Sequence, residues 1–220
     1  MDQENVSATL TIAVPAAGVF AVLTDPTAHS AIDGTGWVQE AADRAPLTEV
    51  GQVFRVDMYH PGHPNGDYQV VNKVQVLDPP RAIGWLTGQE KGDGQLEFGG
   101  WIWRYDLAPL GPSETAVTLT YDWSAVPQFI RDRGIKFPPF GPEHLTNSLH
   151  HLAELAARAR LGEPGPRAVL AAVRVQDSVS VCSDTAVRGS SSDRTAQSAN
   201  APITYGAVWT SAASNVWLPR

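Results

Sequence analysis

Two polar side chains near the start of a long predicted helix have the types and spacing to handle protons. His144 and Ser148 lie one helical turn apart, at the margin of the apolar stripe of the segment 142–160. An imidazole titrates near neutral pH, so His144 could act as a general acid or base if it faces an interior site. The alternative is a half-exposed histidine near a helix start. His150 and His151 are adjacent, diverge by about 100° on a helix and are both assigned to the surface.

Tryptophan and tyrosine residues are spread over the predicted strands. Aromatic rings with a polar tip can line a pocket and orient a ligand. Alternation places Trp103, Tyr105 and Tyr121 on the strand face that meets the long helix, and Tyr121 joins His144 as a candidate catalytic residue. The predicted lining of a ligand cavity is Trp37, Tyr59, Trp85, Trp103, Tyr105, Tyr121, His144 and Ser148. For any single ring the alternative is core filling, since strand aromatics commonly pack.

Other histidines and aspartates fall in predicted loops. Four of them flank one turn rich in Pro and Gly and are of types that bind metal ions: Asp57, His60, His63 and Asp67. Because their spacing crosses a turn and no cysteine supports a site, a solvated loop is the favoured interpretation, and no metal is predicted. His29 and Asp33 could lie at a cavity mouth or be ordinary loop polarity. Phosphate-binding, dinucleotide-binding, GxSxG and HExxH motifs are all missing, so no cofactor is predicted.

The segment from Pro142 to Arg160 is predicted to form the longest amphipathic helix of the chain. Leu145, Leu149 and Leu152 recur at helical spacing, with alanines widening the stripe. Pro142 suits the first helical turn, and the basic residues at the end suit the negative end of the helix dipole. Such a helix needs a partner surface to bury its stripe.

Alternating strand patterns precede this helix. They begin with a strand at Val6–Val14, continue with two short helical segments in 15–33, and resume as about six strands in 37–123. The last two, Gly99–Leu107 and Thr115–Trp123, are predicted to pair as an antiparallel hairpin. Strands at short spacing with helices at the two ends predict an α+β fold with a curved antiparallel sheet against the long helix.

The character of the chain changes after Leu161. A Gly- and Pro-rich stretch is followed by Ser, Thr, Asp and Ala without a sustained period. We therefore interpret residues 1–161 as one domain and residues 162–220 as a tail of low order, either disordered or a non-native extension such as out-of-frame translation.

Charge and composition limit the partners. The formal net charge is −7, which argues against nucleic acid and anionic lipid as ligands. No apolar run approaches the roughly eighteen residues of a membrane span, and the N-terminus lacks the basic and apolar regions of a signal peptide. The single cysteine, Cys182, excludes an intrachain disulfide. We therefore expect a cytoplasmic location.

Four stretches together resemble a known superfamily. They are VPAAGVFAVLTDPTAHSAIDG, DPPRAIGWLTG, WIWRYDLAPLGPSETAVTLTYDWS and LTNSLHHLAELA, and they span about residues 5–160. The chain resembles the START-like, birch-allergen-like (SRPBCC) proteins, and within them the polyketide cyclase/dehydrase-type bacterial members. The resemblance implies a helix-grip fold, in which a curved antiparallel sheet wraps the C-terminal helix around a cavity for lipids, steroids or polyketides.

Three functions follow as expectations. The first is binding of an apolar small molecule in the internal cavity. The second is an enzyme of the polyketide cyclase or dehydratase type, in which a shaped, dry pocket positions a flexible chain. The third is an interaction module similar to activators of heat-shock ATPases, which the resemblance also includes. The superfamily contains proteins of all three kinds, so the resemblance does not discriminate between these functions. No protein partner is predicted.

Overall fold

Seven antiparallel strands form one curved sheet in a computed structural model that describes residues 4–162. The strands are β1 (Asn5–Ile12), β2 (Val38–Ala41), β3 (Val53–Tyr59), β4 (Asp67–Asp78), β5 (Ala82–Glu90), β6 (Leu96–Gly111) and β7 (Glu114–Asp122). Their order across the sheet is β1-β7-β6-β5-β4-β3-β2. All connections except the first are therefore between neighbouring strands, as the short spacing of the strand patterns predicts.

The helices lie before the second strand and after the last. They are α1 (Ala16–Leu23), a 3-10 turn (Pro26–Ala28), α2 (His29–Ile32), α3 (Gln128–Arg131) and α4 (His144–Arg160). Pro15 precedes α1, and Asp25 caps the 3-10 turn by accepting a hydrogen bond from the amide of Thr27. The prediction of an α+β chain with an antiparallel sheet is confirmed.

The predicted hairpin between the last two long strands is present. β6 and β7 pair in register from Ile102–Asp122 to Gly111–Glu114, with one irregularity near the turn. The first strand then pairs with β7 from Asn5–Asp122 to Ile12–Thr115. Pairing of the first strand with the last brings the start of the chain beside α4, which packs on β1 and β7.

The apolar stripe of α4 is buried. Leu145, Leu149, Leu152 and Ala156 are each at most 4% exposed and belong to the same core cluster as α1 and the inner face of the sheet. The opposite sheet face is polar, and Arg104 and Asp106 pair there with their side chains 43% and 44% exposed. Both placements agree with the alternation and the helical spacing of the sequence.

The predicted tail, apart from Gly162, lies outside the described residues. Within residues 4–162, no helix has both the length and the apolar character needed to cross a lipid bilayer.

Candidate functional site

Asp33 and His144 face each other beneath the first turn of α4. Their closest atoms, Asp33 Oδ1 and His144 Nδ1, are 3.9 Å apart, and the side chains are only 6% and 8% exposed. This distance is too long for a direct hydrogen bond. Among the described residues, His144 Nδ1 has no hydrogen-bond partner. The structure thus buries the histidine that a helix-start position would leave half-exposed.

Three donors from the chain after α2 hold the Asp33 carboxylate. The hydroxyl of Thr35 donates to it at 2.8 Å, the amide of Trp37 at 2.7 Å and the amide of Val38 at 3.1 Å. Within residues 4–162, no lysine or arginine nitrogen lies within ion-pair distance of Asp33. Among the described residues, Nδ1 of His144 is the only basic side-chain nitrogen at ion-pair distance from this carboxylate.

Helix α4 fixes the loop that carries Asp33. The amide of Gly34 donates to Ser148 Oγ at 3.0 Å, and the ring of His151 donates from Nδ1 to the carbonyl oxygen of Asp33 at 3.2 Å. Assignment of His151 to the surface was therefore wrong, because its ring is half-buried against this loop. Ser148 is 2% exposed, as expected for a polar residue that looks inward from the helix.

Burial and charge shift the acidity of the groups around Asp33. Burial lowers the pKa of His144, while the nearby charges of Asp33 and Glu143 act in the opposite direction. Burial raises the pKa of Tyr68 and of Tyr105, and the Asp33 carboxylate raises the pKa of both phenols further. At neutral pH the lowered pKa of His144 and the raised pKa values of Tyr68 and Tyr105 therefore leave this imidazole and both phenols neutral.

A first aromatic group, which we call the Trp103 cluster, adjoins His144. The ring of Trp103 lies 4.5 Å from that of Tyr121, 5.4 Å from that of Phe140 and 5.5 Å from that of His144, between centroids. Phe140 comes from the loop before α4 and also contacts His144 at 4.6 Å. Burial strongly raises the pKa of Tyr121.

A second aromatic group, the Trp85 cluster, lies deeper. Its central ring stacks on His29 at 5.0 Å and contacts Phe54 at 5.8 Å and Tyr105 at 6.0 Å. The ring of His29 donates from Nε2 to the carbonyl oxygen of Leu23 at 2.9 Å. Burial lowers the pKa of His29. His29 is therefore part of the core rather than of a cavity mouth.

Two aromatic residues of the predicted lining belong to neither cluster. The ring of Trp37 packs on His60 at 4.5 Å, and Tyr59 is 46% exposed at the end of β3. Because Phe54 and Val56 point into the core, alternation turns Tyr59 to the other face. The remaining six predicted residues are on the inner side: Trp85, Trp103, Tyr105, Tyr121, His144 and Ser148.

The turn that carries His60 and His63 is built from local contacts. His60 Nδ1 accepts a hydrogen bond from the amide of Gly62, and the ring of His63 stacks on Tyr68 at 4.5 Å. In the part of the chain that the structure describes, no three His, Cys, Asp or Glu residues are grouped as a metal site would require.

Two residues of this site are not among those predicted from the sequence. Asp33 is predicted only for a cavity mouth or as ordinary loop polarity, and Tyr68 is not among the predicted site residues. The available signals were the Asp33-Gly-Thr35 pattern, in which a carboxylate can accept from a hydroxyl two residues later, and the position of Tyr68 on the same face as Val70.

Comparison with known proteins supports the fold but not an activity. No family model matches the chain. The uncharacterized protein Rv0088 of Mycobacterium tuberculosis H37Rv is 30% identical over 133 residues, which cover 60% of this chain and 53% of that protein. The uncharacterized protein MT0096 of strain CDC 1551 matches to the same extent. The chain thus spans about half the length of the curated relatives it matches.

Solved structures of bacterial proteins have a similar fold. The crystal structure of protein NE0264 from Nitrosomonas europaea has a TM-score of 0.52 and 17% identity, covering 73% of this chain and 99% of that one. The solution structure of a protein from Arthrobacter aurescens has a TM-score of 0.50 and 14% identity, covering 70% and 87%. At these identities the likeness concerns the fold alone.

Proposed function

We propose that this protein has a helix-grip fold of the START-like type and binds an apolar small molecule between the sheet and α4. One observation carries the proposal: a buried polar atom on the apolar inner side lacks a hydrogen-bond partner within residues 4–162. That atom is His144 Nδ1. Tyr105 and Tyr121, which are at most 5% exposed, lie on the same inner side.

Unpaired polar groups in a protein interior are costly. Each buried donor or acceptor left without a partner costs about 1–3 kcal/mol relative to one that is paired. Native proteins therefore keep few of them, and those that persist commonly bind water, an ion or a ligand. His144 Nδ1 is such an atom, and a ligand that places a polar atom beside it would satisfy it.

Entry of a ligand would require the Trp103 cluster to open. Its rings contact one another at centroid distances of 4.5–5.5 Å, so they fill the space between them. Phe140 is the member best suited to move, because it comes from the loop between α3 and α4 and is only partly buried. Displacement of Phe140 would leave Trp103 and Tyr121 as two walls of a pocket.

Tryptophan fluorescence tests the proposal. We expect saturable quenching or a spectral shift when neutral lipids, sterols or aromatic polyketides are titrated into the protein. The reporter should be Trp103, whose replacement by Phe should remove most of the signal. Trp37→Phe is the matched control, because the ring of Trp37 packs on His60 and away from the inner clusters.

The outcomes are distinct. A saturable signal that Trp103→Phe abolishes and Trp37→Phe retains supports the interior site. The proposal fails if no compound in the panel binds, or if the signal follows Trp37 instead of Trp103.

A second candidate function is supported by the Asp33–His144 pair. A neutral imidazole beside a buried carboxylate is suited to accept a proton, because the imidazolium that forms would be stabilised by the negative charge. In a cyclase, His144 would take a proton from a methylene between two carbonyl groups of the substrate. The resulting enolate carbon would bond to another carbonyl carbon, and the alkoxide would receive a proton from Tyr121. The imidazolium of His144 would then return its proton to the tyrosinate, which restores both residues.

This enzymatic alternative predicts a separation of binding from turnover. His144→Gln and Tyr121→Phe should abolish cyclisation of a poly-β-keto substrate analogue while its affinity changes by less than about threefold. Retention of turnover in both variants would contradict the assigned roles.

A further inference from the structure

The residues around Asp33 are suited to bind the polar end of a ligand rather than its apolar body. This inference rests on the proposed function and makes it more specific. We propose that Asp33 and His144 form a head-group site that accepts a neutral or cationic group, such as a hydroxyl or an ammonium, and rejects a carboxylate or phosphate.

The carboxylate of Asp33 is a buried and uncompensated negative charge. Its hydrogen-bond donors are a hydroxyl and two backbone amides, which carry no formal charge. His144 is the only residue in 4–162 that lies within ion-pair distance, and its Nδ1 is 3.9 Å away. The other titratable groups around it are Glu143, Tyr68, Tyr105 and His151, whose ring donates to the carbonyl oxygen of Asp33. An anionic head group would therefore be repelled by the carboxylates of Asp33 and Glu143.

The separation of the two side chains suits one bridging oxygen. An oxygen about 2.8 Å from both Asp33 Oδ1 and His144 Nδ1 would lie about 2 Å to one side of the line that joins them. A hydroxyl there would donate to the carboxylate and accept from an Nδ1–H, or an ammonium would donate to both atoms. Either group would satisfy the unpaired imidazole nitrogen. A carboxylate has no proton to donate to Asp33 and would only add charge.

The expected difference in affinity between the carboxylate and the alcohol is large enough to measure. Two like charges about 5 Å apart in a partly buried site, at an effective dielectric constant near 20, should weaken binding by roughly 200-fold. Even when screening halves the repulsion energy, the carboxylate should bind at least about tenfold more weakly than the alcohol of the same chain.

The experiment uses the full chain and one matched ligand series. A saturated medium-chain alcohol, the corresponding amine, carboxylate and methyl ester are titrated at neutral pH with Trp103 fluorescence as the readout. For the unmodified protein we expect alcohol, ester and amine to bind and the carboxylate to bind at least about tenfold more weakly. Asp33→Asn should remove most of that difference, and it should weaken binding of the amine.

A control separates the local charge from the net charge of −7. Asp57→Asn removes one negative charge from a residue whose carboxylate accepts from the exposed side chain of Gln69. This variant should discriminate against the carboxylate as strongly as the unmodified protein does.

Each result has one meaning. If no member of the series binds, the proposed function itself fails. If alcohol, ester and carboxylate bind the unmodified protein equally well, the head-group site is wrong while the binding function stands. If the difference persists unchanged in Asp33→Asn, or disappears equally in Asp57→Asn, Asp33 does not determine the selectivity. Should Asp33→Asn fail to fold, the comparison of ester with carboxylate on the unmodified protein still decides whether anions are rejected.

Discussion

The amide of Gly34 donates a hydrogen bond to Ser148 Oγ at 3.0 Å, and this contact joins the loop after α2 to the first turns of α4. It places Asp33 opposite His144, so the geometry of the site depends on how closely the loop can approach the helix. The close approach is possible because residue 34 has no side chain.

Gly34→Ala should destabilise the protein. A Cβ at this position would overlap the carbonyl oxygen of His144 and lie 2.9 Å from both the backbone nitrogen of Ser148 and Cβ of Asn147. Because two of these neighbours are helix backbone, the loop must move, at a cost of about 1–3 kcal/mol. Urea denaturation should report this loss. Gly92→Ala is the matched control, since nothing lies within 4 Å of its added Cβ, and it should change stability by less than about 0.5 kcal/mol.

Tyr105→Phe should cost no stability. The structure shows no hydrogen bond from the Tyr105 hydroxyl to another residue in 4–162, so its deletion should be neutral or stabilising by up to about 1 kcal/mol. Thr115→Val provides the contrast, because the hydroxyl of the fully buried Thr115 donates to the carbonyl oxygen of Val14 at 2.8 Å. That variant should lose about 1–2 kcal/mol. Equal losses for the two variants would mean that the Tyr105 hydroxyl is paired.

Phe140→Ala should open the Trp103 cluster. The ring contacts those of Trp103, Tyr121 and His144, so its removal should cost about 1–3 kcal/mol and shift tryptophan emission to longer wavelength as water reaches Trp103. Phe129→Ala is the matched control, because Phe129 is 55% exposed. It should change stability by less than about 1 kcal/mol and leave the emission maximum unchanged. An unchanged emission maximum in both variants would exclude Phe140 as the cover of this cluster.

Stability should fall as the pH is lowered through 6.5. Burial lowers the pKa of His29 and of His144 from the ordinary value of 6.5 in the folded state. Below that value the unfolded chain binds protons that the folded chain does not, so the free energy of unfolding decreases by up to about 1.4 kcal/mol per pH unit for each histidine. Above it both states are neutral at these positions, and their contribution is constant.

Urea midpoints between about pH 7.5 and 5.5 measure this dependence, above the range in which most carboxylates titrate. His144→Gln should reduce the slope, because one of the two buried imidazoles is then absent. His150→Gln, at an exposed position of the same helix, should keep the slope of the unmodified protein. If the free energy of unfolding of His144→Gln depends on pH as steeply as that of the unmodified protein, protonation of His144 does not destabilise the folded state.

Local periodicity determined most of the architecture. The sequence predicted the first strand and about six more in 37–123, where the structure has six, although β6 extends beyond its predicted ends to Leu96 and Gly111. Helical spacing of Leu145, Leu149 and Leu152 predicted the buried stripe of α4. Strands and helices turn side chains inward at fixed intervals, so the periodicity within one segment is enough to predict its type and its buried face.

What the sequence by itself settled is thus the class of each element and which face it buries. Tertiary structure alone decided that β1 pairs with β7, that the loop at Gly34 lies against α4, and that Asp33 meets His144 at 3.9 Å. The same packing left Trp37 and Tyr59 outside the interior that their aromatic character suggested. The reason is that contacts between distant segments depend on strand order and loop approach, and these are fixed by the packing of the whole chain rather than by any local pattern.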